Sequence, residues 1–120
     1  MHDLKDYRCG GIIHIVMNNQ VGFTTDPQDG RSSYYCTEIA KVVDAPVFHV
    51  NADKPDVLDR VVKIAMEYRT KFNKDIFIDL VGYRKYGHNE QDEPSFTQPL
   101  MYEEIKNKPS VYEIYSKKLI

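Results

Sequence analysis

Two polar stretches hold most of the residues able to do chemistry in this 120-residue chain. The first is VMNNQVGFTTDP, Val16 to Pro27, where an apolar run ends in two asparagines, a glutamine, a glycine and two threonines. A hard cation such as Mg2+ takes amide and backbone carbonyl oxygens, in an octahedron completed by phosphate oxygens and a carboxylate. One Asn side chain plus a carbonyl two residues further on would supply two such ligands from a single turn, with Gly22 letting the backbone bend. Asn is also a common turn former, and on spacing alone Asn18-Asn19 reads first as a strand-ending turn.

The second stretch is GYRKYGHNEQDEP, Gly82 to Pro94. Arg84 offers a bidentate fork, and His88 a ring N–H, to a phosphate or carboxylate. Glu90, Asp92 and Glu93 have the right groups for metal ligation or acid–base work, although such a charge run is more commonly a solvated loop. His49 in VFHV and His14 in IIHIV sit in apolar strands, the usual setting of a satisfied core histidine. Arg31-Ser32-Ser33, after Asp29-Gly30, fits either an anion-binding turn at a helix N-terminus or a capped helix start, and the cap is preferred. Cys36 has no activating partner nearby in sequence, which argues against a nucleophile. GxGxxG, GxxxxGK[ST] and GxSxG are all absent, so dinucleotide, P-loop and α/β-hydrolase chemistry lose their main support.

Three short β-branched or aromatic runs, Ile12 to Met17, Val47 to Val50 and Ile76 to Val81, have the signature of strands covered on both faces. A helix is expected from Asp53 to Phe72, with Val57, Val61, Ile64 or Ala65, Tyr68 and Phe72 at helical spacing. Asp53 is its expected cap, with Pro55 in the first turn. A shorter helix is expected from Cys36 to Val43, and two more over Leu100 to Asn107 and Ser110 to Leu119, split by Pro109. The segment from Met1 to Asp6 reads as the tail of a helix leading into a strand. Strand, helix, strand, helix, strand and then helices predicts an α/β fold, a parallel sheet flanked by helices with right-handed crossovers. Such sheets bind ligands at the carboxyl ends of their strands. The long loops after the first and third strands, Asn18 to about Tyr35 and Gly82 to Pro94, should therefore converge on the site.

The 16 basic and 18 acidic residues leave a formal net charge of -2, with no basic surplus for nucleic acid or an anionic membrane surface. Two cysteines without metal or CxxC spacing argue for a reduced compartment and no disulfide framework. No apolar run approaches the roughly 18 residues that span a bilayer, and the chain reads as soluble.

Taken together, IVMNNQVGFTTDP, RSSYYCTEIAKVVDAPVFHVNAD and DIFIDLVGYRKYGHNEQDEPSFTQPLMYEEI resemble the thiamine-diphosphate-dependent decarboxylating component of 2-oxoglutarate dehydrogenase. The likeness runs from about Asp3 to Leu119, in order and without an evident gap. It implies a thiamine-diphosphate-binding, transketolase-like α/β domain that grips the cofactor diphosphate through Mg2+. The resemblance makes Asn19, through its side chain, and Val21, through its carbonyl, two of the metal ligands. It makes His88, in the Tyr-Arg-x-x-Gly-His loop, a contact of the diphosphate, with Arg84 helping to order that loop. No catalytic residue is assigned with certainty.

The family's Gly-Asp-Gly element, its substrate-binding histidines and its second domain have no counterpart in these residues. Residues 1–120 are accordingly expected to be a partial cofactor-binding domain, truncated upstream and downstream, and inactive by themselves. The implied parent decarboxylates 2-oxoglutarate and passes the succinyl group to a lipoyl-bearing succinyltransferase. It works as a homodimer, in the mitochondrial matrix of a eukaryote or the cytoplasm of a bacterium. A 2-oxoadipate-specific relative shares these motifs, and FTTDP and FTQPLMY tilt the reading to 2-oxoglutarate. A non-catalytic fragment or binding module is the rival of another class, supported by the missing Asp motif.

Overall fold

A computed structural model of the chain describes residues 4–120. Its centre is β3, Ile76–Val81, flanked by β1, Ile13–Asn18, and β2, Val47–Asn51, in the order β1-β3-β2. Both pairings are parallel. Ile13 aligns with Ile76 and Val47 with Phe77, and Asn18, Val81 and Asn51 come out level at the carboxyl edge. The predicted parallel α/β sheet is therefore present, and all three following loops leave from one edge.

From β1 the chain crosses over β3 to reach β2, then steps back. Two right-handed crossovers running in opposite directions must lie on opposite faces. The connection before β2 packs on the face that carries His49, Phe77 and Asp79. α1, Pro55–Phe72, covers the other face, where Ala65 joins Val50, Ile76 and Ile78 in the core. The apolar stripe of α1 is Leu58, Val61, Ala65 and Tyr68, at intervals of three and four. Leu58 takes the place expected of Val57, Ala65 rather than Ile64 is buried, and Phe72 is half exposed.

Three expectations need correction. β3 is buried along most of its length, but β1 is an edge strand: Ile15 and Met17 are 59% and 80% exposed, because α1 reaches the start of β1 and not its end. Asp53 does not cap α1. Lys54 holds the cap position without a side-chain bond, and the Asp53 carboxylate pairs with Lys108, just past α2, Pro99–Asn107. The expected helix over Cys36 to Val43 is a 3-10 helix confined to Glu38–Val43. Its sheet-facing positions Thr37 and Ala40, both buried, lie three apart, the repeat of a 3-10 turn.

α3, Val111–Leu119, begins with a capping box in which Ser110 and Glu113 exchange side-chain and backbone bonds. Lys118 reaches Asp56 in the first turn of α1 at 2.7 Å. Together with Lys108 and Asp53 this ties the C-terminal helices to the α1 end of the sheet. Of the expected N-terminal helix tail, residues 1–3 lie outside the described residues, and Leu4 to Tyr7 form a turn closed by a 3.2 Å backbone bond.

Gly11, just before β1, has φ +75°, and a Cβ there would lie 2.2 Å from the Lys74 carbonyl oxygen. The Gly11 carbonyl also accepts from Arg69 Nε at 2.8 Å, tying the start of β1 to α1. Gly11→Ala should destabilise by about 3 kcal/mol, combining a disfavoured φ with a backbone clash. A chemical-denaturation series checks this, and a loss below about 1 kcal/mol would mean that the segment relaxes freely.

Candidate functional site

The level carboxyl ends of β1 and β3 bring the two polar loops together. Gly82 donates its N–H to the Asn18 carbonyl at 2.8 Å, and the Gln20 side-chain amide donates to the Gly82 carbonyl at 2.9 Å. Asn18 Oδ1 accepts the Gln20 N–H, and Asn19 Oδ1 the Val21 N–H, each at 3.1 Å. These are two successive Asx turns, the local reason why an Asn-Asn pair ends the strand. They leave Gln20 at φ 63°, a left-handed conformation held by its bond to Gly82. The next residues close a tight reversal, with Gly22 and Thr25 exchanging backbone bonds of 3.0 and 2.9 Å around Phe23.

Asn19 stands where two clefts meet. One, of about 400 Å³, is shared by Asn19, Val21, Asp26, Arg31 and Cys36. The other, of about 660 Å³, joins the apolar side chains Met17, Leu80, Ile105 and Val111 to Arg84. The turn and the ligand readings of Asn18-Asn19 are compatible. An amide oxygen has two lone pairs, and the Val21 N–H occupies one on Asn19 Oδ1. No described residue donates to the Val21 carbonyl. Both oxygens keep acceptor capacity, and neutral oxygen donors are what Mg2+ accepts. No three His, Cys, Asp or Glu side chains converge as a metal cage among the described residues. The pair therefore fits part of an octahedron, the kind that phosphate oxygens and a carboxylate complete.

His88 is not among the residues lining either cleft. Its ring meets Phe23 edge-to-face, with centroids 4.4 Å apart, so it touches the Asn19 loop from outside. Nδ1 lies 3.1 Å from Asp92 Oδ2, Nε2 lies 3.1 Å from the Asn89 amide, and Arg84 Nη1 donates to the His88 carbonyl at 3.1 Å. Arg84 thus orders this loop through its backbone. A further tie to the Asn19 loop comes from Gln98 at the start of α2, whose buried Nε2 donates to the Thr24 carbonyl at 2.8 Å. The charge run divides by role: Asp92 holds His88, Glu93 caps the following 3-10 turn by accepting the Ser95 N–H, and Glu90 is exposed.

The histidines expected in the core lie nearer the surface. His14 is half-buried, stacked on Phe77 at 4.2 Å and paired with Asp75 at 3.0 Å. His49 is over a third exposed, yet its Nδ1 meets the carboxylate of fully buried Asp79 at 2.8 Å, and the Tyr35 ring lies 4.2 Å away. Cys36 donates its thiol to the other Asp79 oxygen at 3.6 Å. Burial, then the charge and hydrogen bond of Asp79, push the Cys36 thiol above its usual value, while Arg31 pulls it down. A thiol raised in this way is less of a thiolate at neutral pH. The Arg31 guanidinium binds the Ser33 and Tyr34 carbonyls and lines the Asn19 cleft, and no helix starts at Ser32-Ser33, so the preferred capping role does not occur there.

Sequence reasoning passed over Asp79 and Asp26. Asp79 had a visible signal, an acid in the middle of the apolar run IFIDLV, whereas Asp26 reaches the cleft only through the fold of its loop.

A profile of the family described as dehydrogenase E1 component matches residues 1–120. The chain is 54% identical over 120 residues to a Dictyostelium discoideum protein named 2-oxoglutarate dehydrogenase, mitochondrial. It is 53% identical over 119 residues to the 2-oxoglutarate dehydrogenase E1 component of an Exiguobacterium species. It is 55% identical over 120 residues to a Xenopus laevis 2-oxoglutarate dehydrogenase-like, mitochondrial protein. These alignments cover 99–100% of this chain but 12% of each relative, so the chain spans about an eighth of their length.

Proposed function

This chain belongs to the dehydrogenase E1 component family, and from that premise we propose that it forms part of an enzyme that decarboxylates 2-oxoglutarate with thiamine diphosphate and Mg2+. The observation that carries the reading is identity above one half, across the whole chain, to proteins bearing the 2-oxoglutarate dehydrogenase name. Those names favour 2-oxoglutarate over 2-oxoadipate as substrate. The succinyl group passes to the lipoyl arm of a succinyltransferase partner, and the complete enzyme is a homodimer. Its place is the mitochondrial matrix in a eukaryote and the cytoplasm in a bacterium.

Within that enzyme, residues 1–120 are a partial cofactor-binding domain. Asn19 Oδ1 and the Val21 carbonyl hold Mg2+, and the Asx turn between them sets their spacing. His88 reaches the diphosphate, with Arg84 holding the His88 carbonyl so that the loop keeps its course. The metal here anchors and orients, and is not an activator of water. Thiamine diphosphate, when bound, supplies the electron sink for decarboxylation. A carboxylate from outside these residues completes the metal shell.

Calorimetric titration of thiamine diphosphate with Mg2+ tests this. The full-length polypeptide should bind and should release carbon dioxide from 2-oxoglutarate in preference to 2-oxoadipate. Residues 1–120 alone should give no heat. Absence of binding by the full-length polypeptide would sink the cofactor assignment.

A further inference from the structure

His88 is held at both ring nitrogens, and the way it is held fixes where its proton sits. Asn89 Oδ1 accepts the Gln91 N–H at 2.9 Å, so the amide group turned towards His88 is Nδ2, a donor, 3.1 Å from Nε2. Nε2 therefore accepts. Nδ1 faces Asp92 Oδ2, an acceptor, so Nδ1 carries the hydrogen. The same carboxylate oxygen also takes the His88 backbone N–H at 3.3 Å. These bonds from His88 hold the Asp92 carboxyl below the usual carboxylate range. Gly87 makes the approach possible: it sits at φ +78°, and a Cβ there would lie 3.0 Å from Pro94 and 3.2 Å from the Asp92 oxygen.

In the neutral ring the single proton therefore lies on the Asp92 side, with a lone pair on Nε2. A lone pair repels an anionic oxygen. A phosphate is received on Nε2 only when the ring gains a second proton and Asn89 lets go. We infer that Asp92 is a positioning residue that makes capture of the cofactor diphosphate proton-linked, His88 binding the phosphate as an imidazolium between that oxygen and the Asp92 carboxylate. This rests on His88 being the diphosphate contact proposed above.

The proton comes from solvent and stays on the ring while the ligand is bound. Among the described residues Asp92 is the carboxylate bonded to the ring, and Arg84 places its cation at the His88 carbonyl. Tyr102 donates its hydroxyl to the Arg84 carbonyl and is pushed up by burial, then by the Asp92 charge. From the opposite loop comes the uncharged Phe23 ring. The carboxylate lies against the ring, and the nearest cation is bonded to the backbone.

The test is calorimetric titration of thiamine diphosphate with Mg2+ into the full-length polypeptide at pH 8, in two buffers of unlike ionisation enthalpy. That pH lies above the ordinary imidazole value of about 6.5 and above the second phosphate ionisation near 6. The free diphosphate then brings no proton, and the share of the uptake that belongs to His88 is the difference between the wild type and a variant that cannot titrate there. The wild type should take up roughly half to one proton per site, with affinity falling by up to about tenfold per pH unit above neutrality. His88→Gln keeps an amide donor but cannot titrate, so it should bind with clearly less uptake than the wild type and a shallower pH profile. Asp92→Asn should show reduced uptake and a shallower profile. Binding by the wild type with no proton uptake, or undiminished uptake in His88→Gln, would overturn the inference while leaving the cofactor assignment intact. No binding heat in either buffer for the wild type would remove the cofactor assignment and this inference with it.

Discussion

Asn19→Ala in the full-length polypeptide should weaken the apparent affinity for Mg2+ and thiamine diphosphate by roughly 100-fold or more, while the melting midpoint moves by no more than about 3 °C. The affinity loss has two sources. The substitution deletes one proposed ligand oxygen, and it breaks the Asx turn that fixes the Val21 carbonyl, the other proposed ligand. The stability loss is small because Asn19 is only half-buried and its side chain makes a single 3.1 Å bond to a neighbouring N–H. One such bond contributes about 1 kcal/mol.

Asn19→Asp separates the roles, since it keeps an oxygen in place for both the turn and the metal. It should retain affinity to within roughly tenfold. Cofactor affinity from titration, read beside the melting curve of each variant, decides the matter. A sharp fall in melting temperature with unchanged affinity in the folded fraction would make Asn19 a turn residue and nothing more.

What could be seen in the sequence divides along the reach of each signal. β3 appears with the expected ends, Ile76 and Val81, because an apolar run bounded by Asp75 and Gly82 is a local pattern. α1 ends at the expected Phe72, followed by Asn73 at φ 52°, a residue type that tolerates the left-handed turn. The start of α1 was misjudged because the partner of Asp53 is Lys108, far along the chain and invisible to any local window.

His49 was misjudged for the same reason. Its sequence neighbours are apolar, but its strand is an edge, and across the sheet its register partner is Asp79. Convergence of the two loops was legible from topology alone, because parallel strands that end level must release their loops side by side. The hydrogen bonds that secure the loops, Gln20 to Gly82 and Gln98 to Thr24, were not legible, since glutamine carries no turn or motif signal of its own. The exposed Ile15 and Met17 on β1 belong to the same class: an apolar run reads as buried whether or not this chain supplies its cover.

Asp79 carries the second large effect. Its carboxylate is 1% exposed and is shared between His49 on β2 and Cys36 at the entrance to the 3-10 helix. One side chain on the central strand thus secures the connection that walls the Asn19 cleft. Asp79→Ala leaves a cavity and strips both partners, and should cost about 3 kcal/mol. Asp79→Asn keeps the shape and removes the charge, so it should cost less, and it isolates the electrostatic contribution.

The Cys36 thiol is an acid whose charged form is an anion, so burial and a nearby carboxylate both hold it in its neutral form. Burial is the largest single influence and persists in Asp79→Asn, while the repulsion from the carboxylate charge disappears. The thiol should therefore ionise at lower pH in Asp79→Asn than in the wild type. Alkylation by iodoacetamide across a pH series, in a Cys9→Ser background because Cys9 is exposed, reads that midpoint directly. Rates must be independent of low denaturant concentrations, which excludes reaction through the unfolded chain. A midpoint unchanged from wild type would show that the Asp79 carboxylate does not act on the Cys36 thiol.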